Sequence, residues 1–146
     1  MRIYFDGECR PSEWGNLRTC IVAIHGDDAH VEDLPAGKGR SMDAEWQALF
    51  HAVRYAIAHE IEKVEFVGDS LSVIEAAENR GVKSNPYMSD MCRQFNELVA
   101  DAPIQFRFEH VRRHLSLAGR YLEEGNSASF RWGLNTLEGV VDVRIG

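Results

Sequence analysis

Residues 63–79, Lys63-Val64-Glu65-Phe66-Val67-Gly68-Asp69-Ser70-Leu71-Ser72-Val73-Ile74-Glu75-Ala76-Ala77-Glu78-Asn79, change character part-way along. Over 63–68, Val64 and Phe66 alternate with polar neighbours, the pattern of a strand. Over 70–79 the spacing predicts a short helix, closed by Gly81. Asp69 stands at the handover. A strand that feeds a helix belongs to a crossover, which pairs strands in parallel and turns right-handed.

Upstream, residues 2–8 (RIYFDGE) alternate Ile3 and Phe5 with polar residues and read as a first strand. Residues 9–16 hold Pro11, Gly15 and Asn16 and read as a loop. A second strand is expected at 17–25, a hairpin turn at Gly26-Asp27-Asp28, and a shorter third strand near 29–34. The period then changes. After Gly37 and Gly39, Ser41 offers an N-cap oxygen and Glu45 falls near the first turn. Trp46, Leu49, Phe50, Val53, Ala56 and Ile57 recur at three and four residues, an amphipathic helix over 42–59. Downstream, Pro86 precedes a helix over 87–101 striped by Met88, Met91, Phe95 and Leu98. Residues 104–111 read as a fifth strand and 115–124 as a last helix.

The order βββ-α-β-α-α-β-α specifies an α/β fold. An antiparallel meander extended by two crossover strands makes a mixed five-stranded sheet with helices packed on it. One domain over 1–125 is expected. Residues 126–146, with Phe130, Trp132, Val140, Val141, Val143 and Ile145, are too apolar for a solvated tail and predict a hairpin or strand packed on the same body.

The chain has 146 residues, 45% hydrophobic and 27% charged, which suits one globular domain and excludes a disordered tail, a collagen repeat or a coiled coil. No run approaches the ~18 apolar residues of a membrane span. Asp6 comes too early for a signal peptide. A cytoplasmic protein without membrane partners is expected; no protein partner can be inferred, and a monomer is expected. Cys9, Cys20 and Cys92 form no CxxC pair and read as reduced, structural thiols. The net charge of −7 argues against a broadly basic nucleic-acid binder. It does not exclude a nuclease, whose metal-holding carboxylates add to the negative total.

Three acids occupy unusual places. Asp6 lies inside an apolar strand, Glu45 at the start of the first helix, and Asp69 at a strand end. If the first and fourth strands are neighbours, Asp6 and Asp69 meet at the switch point where ligands of such sheets settle, and Glu45 arrives from the helix above. Crowded carboxylates repel unless protonated or neutralised. Hard oxygen ligands suit Mg²⁺ or Mn²⁺, and two such ions can activate water and stabilise the leaving oxygen of a phosphodiester. Singly each acid has a plainer reading. Asp69 could only cap a helix and Glu45 could only complement a helix dipole. An acid inside an apolar strand needs a partner.

These residues resemble a family. Ile3-Tyr4-Phe5-Asp6-Gly7-Glu8-Cys9 is similar to the opening strand of type 1 ribonucleases H. Asp43-Ala44-Glu45-Trp46-Gln47-Ala48-Leu49 is similar to their first helix, and Gly68-Asp69-Ser70-Leu71-Ser72-Val73-Ile74 to their Thr-Asp-Ser-x-x-Val-Ile signature. Gaps of 39 and 24 residues between the acids suit that family, and the resemblance covers about residues 1–124. It implies a ribonuclease H-like fold and endonucleolytic hydrolysis of the RNA strand of an RNA–DNA hybrid, giving 5′-phosphate products, with two Mg²⁺ or Mn²⁺ ions. Asp6, Glu45 and Asp69 would be metal ligands and catalytic residues. Cys9, Arg10 and Glu45 match positions that read the ribose 2′-hydroxyl, the feature that separates RNA from DNA. Ser70 joins the substrate-binding set.

The family's fourth acid, an Asp near the start of the last helix, is not matched. Its position falls on Gly119 or, one residue shifted, on Arg120. Glu123, one turn beyond Gly119, is the candidate fourth metal ligand, with Asn126 as a neutral alternative, and a loosely held second ion is expected. His114 sits where the family keeps a His or Arg that assists proton transfer, and imidazole is the side chain that titrates near neutral pH. Arg112 and Arg113, with Arg120, would bind phosphate. The family's basic protrusion is absent, since 80–101 holds only Arg80, Lys83 and Arg93. Two rival readings remain: a 3′–5′ exonuclease, from the Asp6-Gly7-Glu8 opening, and a weak or inactive hybrid-binding module. His25, His30, His51 and His59 show no ligand spacing and read as structural or surface groups.

Overall fold

A computed structural model of the chain describes residues 1–78, 85–124 and 142–143. The elements run β1 (Arg2–Arg10), β2 (Gly15–His25), β3 (Asp28–Gly39), α1 (Ser41–Ala58), β4 (Lys63–Gly68), α2 (Leu71–Ala77), α3 (Pro86–Ala100), β5 (Gln105–His110), a 3₁₀ turn (Arg113–Leu115), α4 (Leu117–Glu124) and β6 (Asp142–Val143). The sheet order is β5-β4-β1-β2-β3-β6. β2 is antiparallel to β1 and β3, whereas β1, β4 and β5 run parallel. This is the mixed five-stranded sheet of the sequence reading, with the two residues of β6 added beside β3.

Side-chain alternation divides the interior in two. Ile3, Phe5, Ile21, Ala23, Val64 and Phe66 face α1, α2 and α3, where Trp46, Leu49, Val53, Val73 and Phe95 close the larger core. Tyr4, Cys20, Val22, Ala29, Val31 and Val67 face the opposite way and are covered by Leu117, Ala118, Tyr121 and Leu122 of α4. The α1 stripe is as the period requires, except that Ile57 at its far end is 38% exposed.

Several boundaries differ from expectation. β3 reaches Gly39 because β2 begins at Gly15, and Gly15 and Asn16 pair with Gly39 and Lys38. The register shifts between Asn16 and Arg18, which lets the strand accommodate Pro35. Ser41 is not the N-cap of α1. Arg40 is, with its amide donating to the Asp43 carboxylate at 2.8 Å, while the Ser41 hydroxyl donates to the Ser12 carbonyl at 2.9 Å. The last helix starts at Leu117, after the 3₁₀ turn, rather than at 115. Gly81, Arg80, Lys83, Asn126 and most of 126–146 lie outside the described residues. No helix among the described residues is long and apolar enough to cross a membrane.

Candidate metal centre

Strand pairing brings Asp6 and Asp69 together. Tyr4 of β1 is opposite Val67 of β4. Two residues further along parallel strands, on the same face, stand Asp6 and Asp69. Glu45 arrives from α1, which crosses β1 closely at Gly7: a Cβ there would lie 2.1 Å from the Ala44 carbonyl oxygen. Only glycine permits that approach. Further along β4, a Cβ on Gly68 would lie 2.6 Å from the Phe5 ring, so this glycine too is dictated by packing.

The three side chains each bring one carboxylate oxygen within 4.8 Å of the others. Asp6 is fully buried, and neither of its carboxylate oxygens has a hydrogen-bond partner; buried Oε2 of Glu45 has none either. Burial, and next the Asp69 charge, push the Asp6 carboxyl up to about 7. Burial, then Asp6 and Asp69, push Glu45 up to about 10, against the opposing effect of the Gly7 backbone. Unpartnered hard oxygens with displaced protonation are what a divalent cation would satisfy, so the donor set fits Mg²⁺ or Mn²⁺.

Of the remaining predicted residues, Arg113 contacts this group. Arg113 is exposed and reaches Asp69 with Nη1 at 3.6 Å from Oδ2. Its Nε donates to Glu123 Oε1 at 2.5 Å, and this bond is the main reason its guanidinium is held even more firmly charged. Glu123 is thus paired with Arg113 and is not among the three grouped carboxylates. Gly119 faces Asp6: a Cβ at 119 would sit 3.4 Å from Asp6 Oδ2, in ordinary contact. Arg112 and His114 are exposed at the start and middle of the 3₁₀ turn. Ser70 is the N-cap residue of α2, without a side-chain cap bond. The Cys9 thiol is buried and donates to the Pro11 and Gly39 carbonyls at 3.1 and 3.2 Å. Arg10 is exposed and pairs with Glu8 at 2.5 Å.

One residue at the site escaped the sequence reading. His110 ends β5 opposite Gly68 and donates from Nε2 to the Asp69 carbonyl at 3.2 Å, while the Val111 amide donates to the Gly68 carbonyl at 2.9 Å. Together they pin the backbone that carries Asp69. A polar residue closing an edge strand beside an acid-bearing turn was the available signal.

The family described as Reverse transcriptase-like matches residues 5–121. The chain belongs to the reverse transcriptase-like family. That match spans all three grouped acids and α4 as far as Tyr121. Solved structures similar to this family member include RNase H1 from the halophilic archaeon Halobacterium salinarum, with 23% identity over 77% of this chain and 86% of that one and a TM-score of 0.69. LC11-RNase H1, solved in complex with an RNA/DNA hybrid, shares 17% identity over 79% of this chain and 87% of that one, also at a TM-score of 0.69. The N-terminal RNase H domain of a Mycobacterium tuberculosis protein shares 18% over 78% and 89%, at 0.65. These likenesses show the ribonuclease H fold. No curated protein matches the sequence.

Proposed function

We propose that this protein is a divalent-metal-dependent endonuclease that hydrolyses the RNA strand of RNA–DNA hybrids. The observation that carries the reading is the convergence of Asp6, Glu45 and Asp69, with the Asp6 carboxylate buried and unpartnered. Membership of the reverse transcriptase-like family and the likeness to an RNase H1 solved with a hybrid support the choice of substrate.

Asp6, Glu45 and Asp69 would hold two Mg²⁺ or Mn²⁺ ions, which when bound activate water and stabilise charge at the leaving oxygen. The protein's own groups do the rest. Asp6 and Asp69 are fixed by adjacent parallel strands, and His110 steadies the Asp69 backbone, so the ligands need little reorganisation. Arg113, exposed beside Asp69, and its exposed chain neighbour Arg112 offer positive charge to a phosphate. Water adds to the phosphorus, the bond to the ribose 3′ oxygen breaks, and that oxygen takes a proton, leaving a 5′-phosphate. His114, exposed in the 3₁₀ turn next to Arg113, is the imidazole assigned to move that proton. Because the Cys9 thiol points inward, contact between this residue and a ribose 2′-hydroxyl falls to its backbone. Ser70 and Arg10 complete the substrate-facing set.

The test is a labelled RNA–DNA hybrid against matched duplex RNA and duplex DNA, with Mg²⁺ and Mn²⁺ in turn. Cleavage of the hybrid alone, lost in Asp69→Asn while hybrid binding persists, is expected. Cutting of a closed circular hybrid separates this reading from an exonuclease, which needs an end. Hybrid binding without cleavage under any divalent ion would mean a binding module instead, the reading that Gly119, in place of an acid facing Asp6, favours.

A further inference from the structure

We infer that Glu123 is a positioning residue that aims the Arg113 guanidinium at the substrate phosphate, and not a fourth metal ligand. The inference rests on the nuclease reading above and deepens it. Glu123 lies one helical turn beyond Gly119 on α4, so its face continues outward from the point where Gly119 meets Asp6. Its carboxylate does not turn back toward the three acids. It accepts from Arg113 Nε at 2.5 Å, ten residues earlier in the chain.

That single contact has a geometric effect. A guanidinium is a rigid plane with five N–H groups in a fixed fork. With Nε engaged by Glu123, the plane is oriented so that Nη1 lies 3.6 Å from Asp69 Oδ2, beyond hydrogen-bond length, at the edge of the carboxylate group. The Nη1 and Nη2 edge is then left for two parallel bonds to a phosphate bound beside the three acids. The charge pattern agrees. Pairing with Arg113 neutralises Glu123, so it adds no fourth unpaired negative charge beside Asp69. Where the family resemblance leads one to expect a fourth carboxylate, this chain has a glycine and, beside it, an anchored cation.

Arg113 and Glu123 are 56% and 51% exposed, so their pair contributes little to folding and its removal should leave the fold intact. The experiment uses the full chain as wild type, Glu123→Gln, Arg113→Ala and the double variant, with melting temperatures to verify folding. Mn²⁺ titration without substrate, read by calorimetry and electron paramagnetic resonance, should give the same stoichiometry and affinity in Glu123→Gln as in wild type. Loss of one ion from the stoichiometry would make Glu123 a ligand and overturn the inference. On hybrid cleavage, Glu123→Gln should lower kcat about fivefold or more with Mn²⁺ binding unchanged, and the double variant should be no worse than Arg113→Ala alone. Independent, multiplying losses would overturn it. If wild-type protein cuts no hybrid, the nuclease reading fails. The same double-variant comparison on hybrid affinity in Ca²⁺ then decides the pairing separately: non-additive losses uphold it and additive ones reject it.

Discussion

Replacing Asp6 by Asn removes a charge from a fully buried position while nearly preserving shape. The wild-type carboxyl is raised from an ordinary 3.8 to about 7, chiefly by burial and then by Asp69. Each unit corresponds to about 1.4 kcal/mol, so the ionised form is disfavoured by up to about 4 kcal/mol in the folded state. Its folded pKa exceeds its unfolded one, so the native state binds more protons between those values. The stability it confers is full below about pH 4 and lost as pH rises through 7, with a slope of at most about 1.4 kcal/mol per pH unit. At pH 8 in EDTA, Asp6→Asn should therefore be more stable than wild type by about 2–4 kcal/mol, a rise in melting temperature of about 5–10 °C. Mg²⁺ should stabilise wild type and do much less for the variant. Thermal and urea denaturation followed by circular dichroism from pH 5 to 9, with EDTA or Mg²⁺, supplies the numbers. A variant that melts at or below wild type at pH 8 in EDTA, with the wild-type pH slope retained, would refute the reasoning.

Other outcomes follow from the same geometry. Gly7→Ala should cost about 1–3 kcal/mol or more, because its Cβ meets the Ala44 carbonyl at 2.1 Å; calorimetry should also find weaker Mn²⁺ binding as Glu45 is displaced. Gly119→Asp should place a fourth carboxylate beside Asp6, lowering stability in EDTA at pH 8 and tightening Mn²⁺ binding about tenfold, read by titration calorimetry. His51, buried between Thr19 Oγ1 at 2.9 Å and Glu32 at 2.8 Å, has its pKa lowered, foremost by burial, although Glu32 opposes this. Its contribution to stability is present above pH 6.5 and lost as pH falls. His51→Ala should lower the urea midpoint at pH 8 and flatten its fall between pH 7 and 5.

The element order and the three acids were legible because each rests on a short-range pattern: alternation in residues 2–8 and 63–68, a helical stripe from Trp46 to Ala56, and an acid where an apolar strand cannot tolerate one unaided. What escaped depended on partners distant in sequence. The length of β3 is set by where β2 begins, and the cap of α1 by Asp43 reaching back to Arg40 rather than by Ser41. Glu123 has the helical spacing of a ligand, but Arg113 claims its carboxylate. The histidines without ligand spacing proved structural in a way spacing could not reveal. His51 links Thr19 to Glu32, which also holds His30 at 3.2 Å, while His25 bonds the Tyr55 hydroxyl and the His59 ring stacks 4.0 Å from that of Tyr55.

The pairing of Tyr4 with Val67 has a further consequence. Side chains alternate sides at every residue, so sliding β4 by a single position against β1 would turn Asp69 to the opposite side of the sheet. The apolar layers would be inverted by the same slip, since Val67 and Phe66 would exchange faces. Misalignment that ruins the acid group therefore also ruins the interior, and a chain that has folded stably has already selected the alignment that groups Asp6 with Asp69.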